Sequence, residues 1–339
     1  MAKGNFIEYV VSDNPNKYPD GREQGGYYYE LISPLPFLSF IGNEDFTLKT
    51  YNTTKNWDGT LEYSTDTSTW NTWDGTAISS AGSKLYLRGT GNTKITGTSD
   101  NYRFVFTGTD ALKIACEGNI ENLLDYTTVS AGGHPTMAKN CYGNMFSGCT
   151  SLTTAPELPA TTLAGNCYEF MFRGCTSLAT VPVLPATTLG GFCYAYMFYG
   201  CTALTTVPAL PATTLTEGCY QSMFQGCTSL TSAPSLPATT LTNYCYYNMF
   251  YGCTSLITAP ELPATTLAGN CYQFMFGGCR KIKLSTTQTG EYQTAYRIPK
   301  SGTGTTANSA LDYMFDSTGG TFKGTPSINT TYYTSNTVV

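Results

Sequence analysis

Charged side chains make up only 12% of this 339-residue chain, with 18 Lys and Arg set against 23 Asp and Glu. No basic run or stripe offers the electrostatic footprint that binding a nucleic acid requires. Histidine is scarcer still. His134 is the only one, and it sits beside Pro135 in a Gly-rich loop, where a lone histidine is ordinarily a bystander. No stretch of 18 apolar residues exists, and no apolar core follows Met1 to Asn5. That pattern argues against membrane insertion and against export by a signal peptide. P-loop and dinucleotide fingerprints are missing, and no CxxC pair occurs, so neither a cofactor nor a metal is expected. Glu157 and Glu261 recur only partly, since the equivalent position holds Val183, Ala209 and Ser235 in the units between. A paired-carboxylate glycosidase stays open only because such pairs need not be close in sequence.

What the chain does have is repetition. Cys141, Cys167, Cys193, Cys219, Cys245 and Cys271 recur every 26 residues, and Cys149, Cys175, Cys201, Cys227, Cys253 and Cys279 follow eight residues later in each unit. A fixed period in this range marks a solenoid whose units bury their apolar faces against one another. Eight residues of helix rise about 12 Å, too far for a bridge within a unit. Two readings fit these cysteines: buried columns of free thiols that behave as small hydrophobes, or bridges between neighbouring units.

Within the unit starting at Cys167, apolar residues fall at i, i+1, i+4, i+5 and i+8 (Cys167, Tyr168, Met171, Phe172, Cys175). That spacing predicts one face of a short helix. Ser177 to Thr180 alternates as a strand does, Pro182 ends it, and Leu184 and Leu189 supply further core. The predicted fold class is therefore mixed β and α/β: a small N-terminal β segment, a β-sandwich-like domain, then a leucine-rich-repeat solenoid with a short helix and a short strand per 26-residue unit, and an atypical C-terminal cap. The boundaries read as 1–36, 37–130, 131–283 and 284–339. Two short strands, around residues 6–11 and 27–32, make up the first segment. Leu61–Ser64, Leu85–Arg88 and Arg103–Phe106 alternate between Gly-containing turns in the second. A brief helical pattern runs from Ile120 to Tyr126, and Ala310–Phe315 is a worn copy of the unit's head.

Three positions per unit vary against the fixed frame, opposite the apolar face. Among them are Phe170, Arg173, Tyr196, Tyr199, Gln221, Gln225, Tyr247, Tyr251 and Phe274. Exposed aromatic residues on one ridge are costly unless they contact something, and rigid amphipathic rings give contact area at low entropic cost. This ridge is the first candidate ligand-binding surface. The strand column around Thr153, Thr154, Thr180, Thr205, Thr206 and Thr231 is the second.

The segment Met145-Phe146-Ser147-Gly148-Cys149-Thr150-Ser151-Leu152 resembles the BspA-type leucine-rich repeats of bacterial and phage surface proteins, over roughly residues 141–283. Tyr9-Val10-Val11-Ser12-Asp13-Asn14-Pro15, with Tyr18-Pro19-Asp20-Gly21 and Gly26-Tyr27-Tyr28-Tyr29-Glu30, is similar to the start of many phage tail and tail-fibre proteins from gut bacteria. The resemblance implies a non-enzymatic virion protein, a tail fibre or receptor-binding protein, assembled in the host cytoplasm and attaching to the host surface. Tyr9, Tyr18, Tyr27, Tyr28 and Tyr29 would then lie in the virion-attachment segment. Its partners would be other virion tail proteins and a host cell-surface glycan or protein, and the chain would be a homo-oligomer, a trimer in many such fibres. A bacterial surface adhesin and a purely structural fibre or decoration protein are the alternatives.

Overall fold

A computed structural model describes residues 9–12, 28–31, 35–97 and 99–335. The first two segments are β1 (Tyr9–Ser12) and β2 (Tyr28–Leu31), an antiparallel pair with Tyr9 opposite Leu31. Tyr18 and Tyr27 lie outside the described residues.

Two sheets follow. The larger contains β3 (Leu38–Gly42), β5 (Thr60–Ser64), β6 (Asn71–Trp73), β8 (Lys84–Thr90), β10 (Ile114–Glu117) and β11 (Leu152–Thr154), in the order β11-β10-β3-β8-β5-β6. The smaller is β7-β4-β9, built from β4 (Thr47–Thr50), β7 (Ile78–Ser79) and β9 (Phe104–Thr107). In β8, Leu85, Leu87 and Gly89 alternate inward along a strand with one covered face. The helix α1 (Asn122–Ser130) crosses β8 at Gly89, where a Cβ would stand 1.8 Å from the Leu123 carbonyl oxygen.

The repeats are not built as the sequence pattern predicts. Each predicted helix is instead a run of overlapping β-turns, and α1 is the only α-helix among the described residues. The backbone hydrogen bonds explain why. In the first unit, Met145 N–H donates to Tyr142 O, Ser147 to Asn144 O and Cys149 to Phe146 O, each three residues back. The alternate N–H groups leave the unit: Tyr142 donates to Cys167 O, Asn144 to Glu169 O, Phe146 to Met171 O and Gly148 to Arg173 O. From Tyr142 to Cys149 every backbone donor is satisfied, half locally and half by the next copy. Every fourth residue is left-handed (Asn140, Asn144 and Gly148, φ 61, 59 and 74°), so the chain straightens instead of coiling into a helix. The result is a rung. Rungs at 140–149, 166–175, 192–201, 218–227, 244–253, 270–279 and 309–317 stack through the same pattern.

The predicted strand in each unit is also absent from most units. Only β11 in the first unit forms one, paired in parallel with β10. Thr180, Thr205, Thr206 and Thr231 lie in strand-free backbone. Two prolines per unit, such as Pro182 and Pro185, remove ladder donors, and pairing persists only as bridges such as Thr162–Thr188 and Thr214–Thr240–Thr266. The α/β leucine-rich-repeat solenoid is therefore overturned in favour of a turn-built stack between small sheets.

The inner side of each rung carries the fixed residues. Cys193, Met197, Phe198 and Cys201 are fully buried, and Tyr194 nearly so. Their rings form two continuous files, Tyr142 to Tyr272 at 5.7–5.8 Å per step and Phe146 to Phe315 at 5.5–5.8 Å, all near-parallel. The β-sheet region does not form a separate sandwich core either. Trp57, Trp73, Phe104 and Phe146 touch in series, so one core runs from Leu38 to Tyr332.

Both ends of the stack are closed. At the first rung, Cys141 O accepts Ile95 N–H, Gly143 O accepts the Thr96 hydroxyl at 2.6 Å, and Met145 O accepts Phe104 N–H. At the last, Phe315 N–H donates to Gly324 O and Tyr313 N–H to the Thr325 hydroxyl. Around this end, β12 (Thr266–Leu267) pairs in parallel with β15 (Thr305–Thr306). A three-stranded sheet of β13 (Leu284–Ser285), β16 (Thr331–Thr334) and β14 (Thr294–Arg297) completes the cap. Covering the outermost rungs satisfies groups that an open stack would expose.

Candidate functional site: the outer face of the rungs

The left-handed residues of successive rungs line up in columns. The column one residue before the first cysteine reads Asn140, Asn166, Phe192, Gly218, Tyr244, Asn270, Ser309. The next reads Asn144, Phe170, Tyr196, Ser222, Asn248, Phe274, Tyr313. Gly and Asn are the residues that tolerate positive φ; a bulky ring there is a steric outlier. Six rings nonetheless occupy these columns, with φ between 55 and 60°.

Five of these rings gather into two clusters, while Phe192 lies over Gly218. In the first, Phe170 stacks on Tyr196 at 4.6 Å, Arg173 lies 5.5 Å above the Phe170 ring, and Tyr199 sits 6.2 Å from Tyr196. Gln221 Nε2 donates to the Tyr196 hydroxyl at 2.7 Å. In the second, Tyr244 meets Tyr247 at 5.8 Å, Tyr247 and Tyr251 each meet Phe274 at 6.4 Å, and Phe274 stacks on Tyr313 at 4.9 Å. Gln225 lies half-buried between the clusters, next to Gly226.

The variable positions were expected to point freely to solvent, and they do so only in part. Arg173 and Tyr251 are exposed, but Phe170, Tyr196, Tyr199, Gln221, Gln225, Tyr247 and Phe274 are half-buried, and Asn144, Ala195, Ser222 and Gly277 are buried. Their side chains lean across neighbouring rungs and cover one another. Sequence reasoning missed Phe192, Tyr244 and Tyr313. Their signal was present: they interrupt a column that otherwise holds Asn, Gly or Ser at a 26-residue spacing, or sit in the worn last copy.

Of the Thr column, Thr153 and Thr154 are half-buried in β11, where the Thr153 hydroxyl donates to Ile114 O. Thr180, Thr205, Thr206 and Thr231 are exposed but share no continuous ladder. Tyr9, Tyr28 and Tyr29 fall on the β1–β2 pair.

The thirteen cysteines are all free and buried. Burial pushes the thiols of Cys149, Cys201, Cys219, Cys271 and Cys279 up to about 12, away from nucleophilic use. His134 Nδ1 lies 2.7 Å from Glu121 Oε2, and burial raises the Glu121 carboxyl while His134 partly offsets that. The pair borders a shallow cleft with Thr161 and Thr162. Among the described residues no cluster of three or more His, Cys, Asp or Glu is arranged to hold a metal, and no helix is long and apolar enough to cross a membrane. No protein-family model matches the chain, and no curated protein or solved structure shows significant similarity to it.

Proposed function

We propose that this chain is a non-enzymatic phage virion protein, a tail fibre or receptor-binding protein, whose stacked rungs attach the particle to the bacterial surface. The N-terminal resemblance supplies the virion class, and residues 1–36 would join it to other tail proteins. The observation that carries the attachment role is the outer face: bulky rings held in left-handed backbone and clustered at the surface. Backbone strain of this kind persists where surrounding structure enforces it, and it concentrates at functional sites. Several copies on one particle, as a homo-oligomer, raise avidity without new contacts.

Flow cytometry of the labelled chain on a panel of gut bacterial isolates tests the proposal. Saturable binding to a subset of strains, and protection of those strains from phage adsorption by excess chain, are the expected results. Binding to none of them would sink the attachment role and leave a purely structural one.

A further inference from the structure

Taking the attachment role as its premise, we infer that the outer face of the third to sixth rungs, together with Tyr313 of the seventh, recognises an uncharged polysaccharide.

Rungs 192–201, 218–227, 244–253 and 270–279 contain no Asp, Glu, Lys or Arg. Charge lies just beyond them, at exposed Glu217 and Arg280 next to the ends of two of these rungs, and at Glu169, Arg173, Asp312 and Asp316 on the flanking rungs. An anionic polymer draws its affinity from Lys and Arg, and these four rungs hold none. What it offers is rings and amides. Tyr244, Tyr251 and Tyr313 are 38%, 40% and 52% exposed, a concentration of exposed aromatic surface around Phe274. Gln221, Gln225, Asn248 and Gln273 lie beside or between the two ring clusters. Ring surface takes the apolar C–H face of a sugar, and amides take its hydroxyls. The rungs are joined by β-type hydrogen bonds, so they repeat about every 4.8 Å. That step is comparable to the advance of one hexose in an extended chain, so a polysaccharide running along the stack meets equivalent positions in successive rungs.

The left-handed backbone supplies the discriminating variant. Asn already fills these columns at Asn144, Asn248 and Asn270. Replacing Tyr244 and Tyr313 by Asn therefore removes ring surface while relieving backbone strain. If the rings serve only to hold the rungs together, Y244N/Y313N melts below wild type. If they serve a ligand, it melts at or above wild type and loses binding.

The test measures binding of the full chain to immobilised dextran, mannan and galactan, with heparin as the anionic comparison. Cells that bind the chain are assayed in parallel, before and after periodate oxidation or proteinase K. Expected are binding to at least one neutral polysaccharide, a loss of tenfold or more in Y244N/Y313N without a lower melting temperature, and periodate-sensitive cell binding. Preference for heparin overturns the inference, as does a double variant that melts lower yet binds normally. Cell binding that survives periodate and is lost to proteinase K also overturns it, while leaving the attachment role standing. Binding to neither cells nor polysaccharides ends both.

Discussion

The Cys201 thiol donates to the carbonyl oxygen of Phe172, one rung earlier, at 3.1 Å. The same carbonyl accepts Cys175 N–H from its own rung, also at 3.1 Å. The contact recurs at Cys175, Cys227, Cys253 and Cys279, and Cys149 makes its counterpart to Phe104 O of β9. The second cysteine of each unit is thus a hydrogen-bond donor that ties rung to rung, as well as a small apolar filler. Replacing Cys201 by Ala removes both roles and is expected to cost about 1–2 kcal/mol. Ser keeps a donor and is expected to cost no more than Ala. Urea melts of the two variants check this; a Ser variant clearly weaker than Ala would mean the S–H donor contributes nothing.

Alkaline pH should dismantle the stack. An unfolded thiol titrates near about 8.5, whereas burial holds Cys149, Cys201, Cys219, Cys271 and Cys279 up to about 12. Between those values the folded chain holds more protons than the unfolded one, so stability falls as pH rises. It is fully present below about pH 8.5 and is lost progressively as pH climbs towards the folded values. Melting temperature is expected to be flat from neutral to mildly alkaline pH and to drop steeply beyond it. In parallel, a thiol reagent should label no cysteine in the native chain at neutral pH and all of them in denaturant.

The third left-handed column is glycine in six rungs, at φ 70 to 74°. At Gly226 an added Cβ would lie 3.7 Å from the Gly200 backbone, an ordinary contact, so conformation and not space is the constraint. Gly226→Ala is expected to cost about 1–2 kcal/mol, and Gly226→Asn less, because Asn tolerates this region. Equal losses for both, read from denaturant midpoints, would point to a steric cause instead.

Because each rung bonds only to its neighbours, a whole unit is removable. Deleting residues 193–218 joins Phe192 to Cys219 in the phase that Phe192 has with Cys193. The shortened chain is expected to fold cooperatively with both end caps in place and with a smaller denaturant m-value. Failure to fold would show that the stack depends on contacts beyond adjacent rungs.

The helix expectation failed for a definable reason. The spacing i, i+1, i+4, i+5, i+8 repeats every four residues. On a helix of about 100° per residue such a pattern drifts by about 40° per step, little enough over two steps to pass for one apolar face. A rung of four-residue turns produces the same pattern with no drift. What argues against a helix is Asn140, Asn144 and Gly148, four apart, which are good left-handed residues and poor helix formers. At Phe170, Tyr196 and Phe274 that evidence was masked, because nothing in a ring's identity announces positive φ. Proline was the more legible signal. Pro182 and its equivalents marked where strands end, and the structure leaves every proline-bearing unit but the first without that strand.

The sequence by itself determined the 26-residue period and the fixed frame of buried residues. Cys, Tyr, Met, Phe and Leu recur where only a shared core can use them, and hydrophobic burial depends on composition and spacing, both written along the chain. The tertiary structure alone decided that the repeat is a turn-built rung, that the sheets and the stack share one core, and that Tyr244, Phe274 and Tyr313 meet on one outer face. Those outcomes rest on hydrogen bonds and ring contacts between residues 25 or more positions apart. A local pattern specifies that such partners are needed, but only the closed stack selects them.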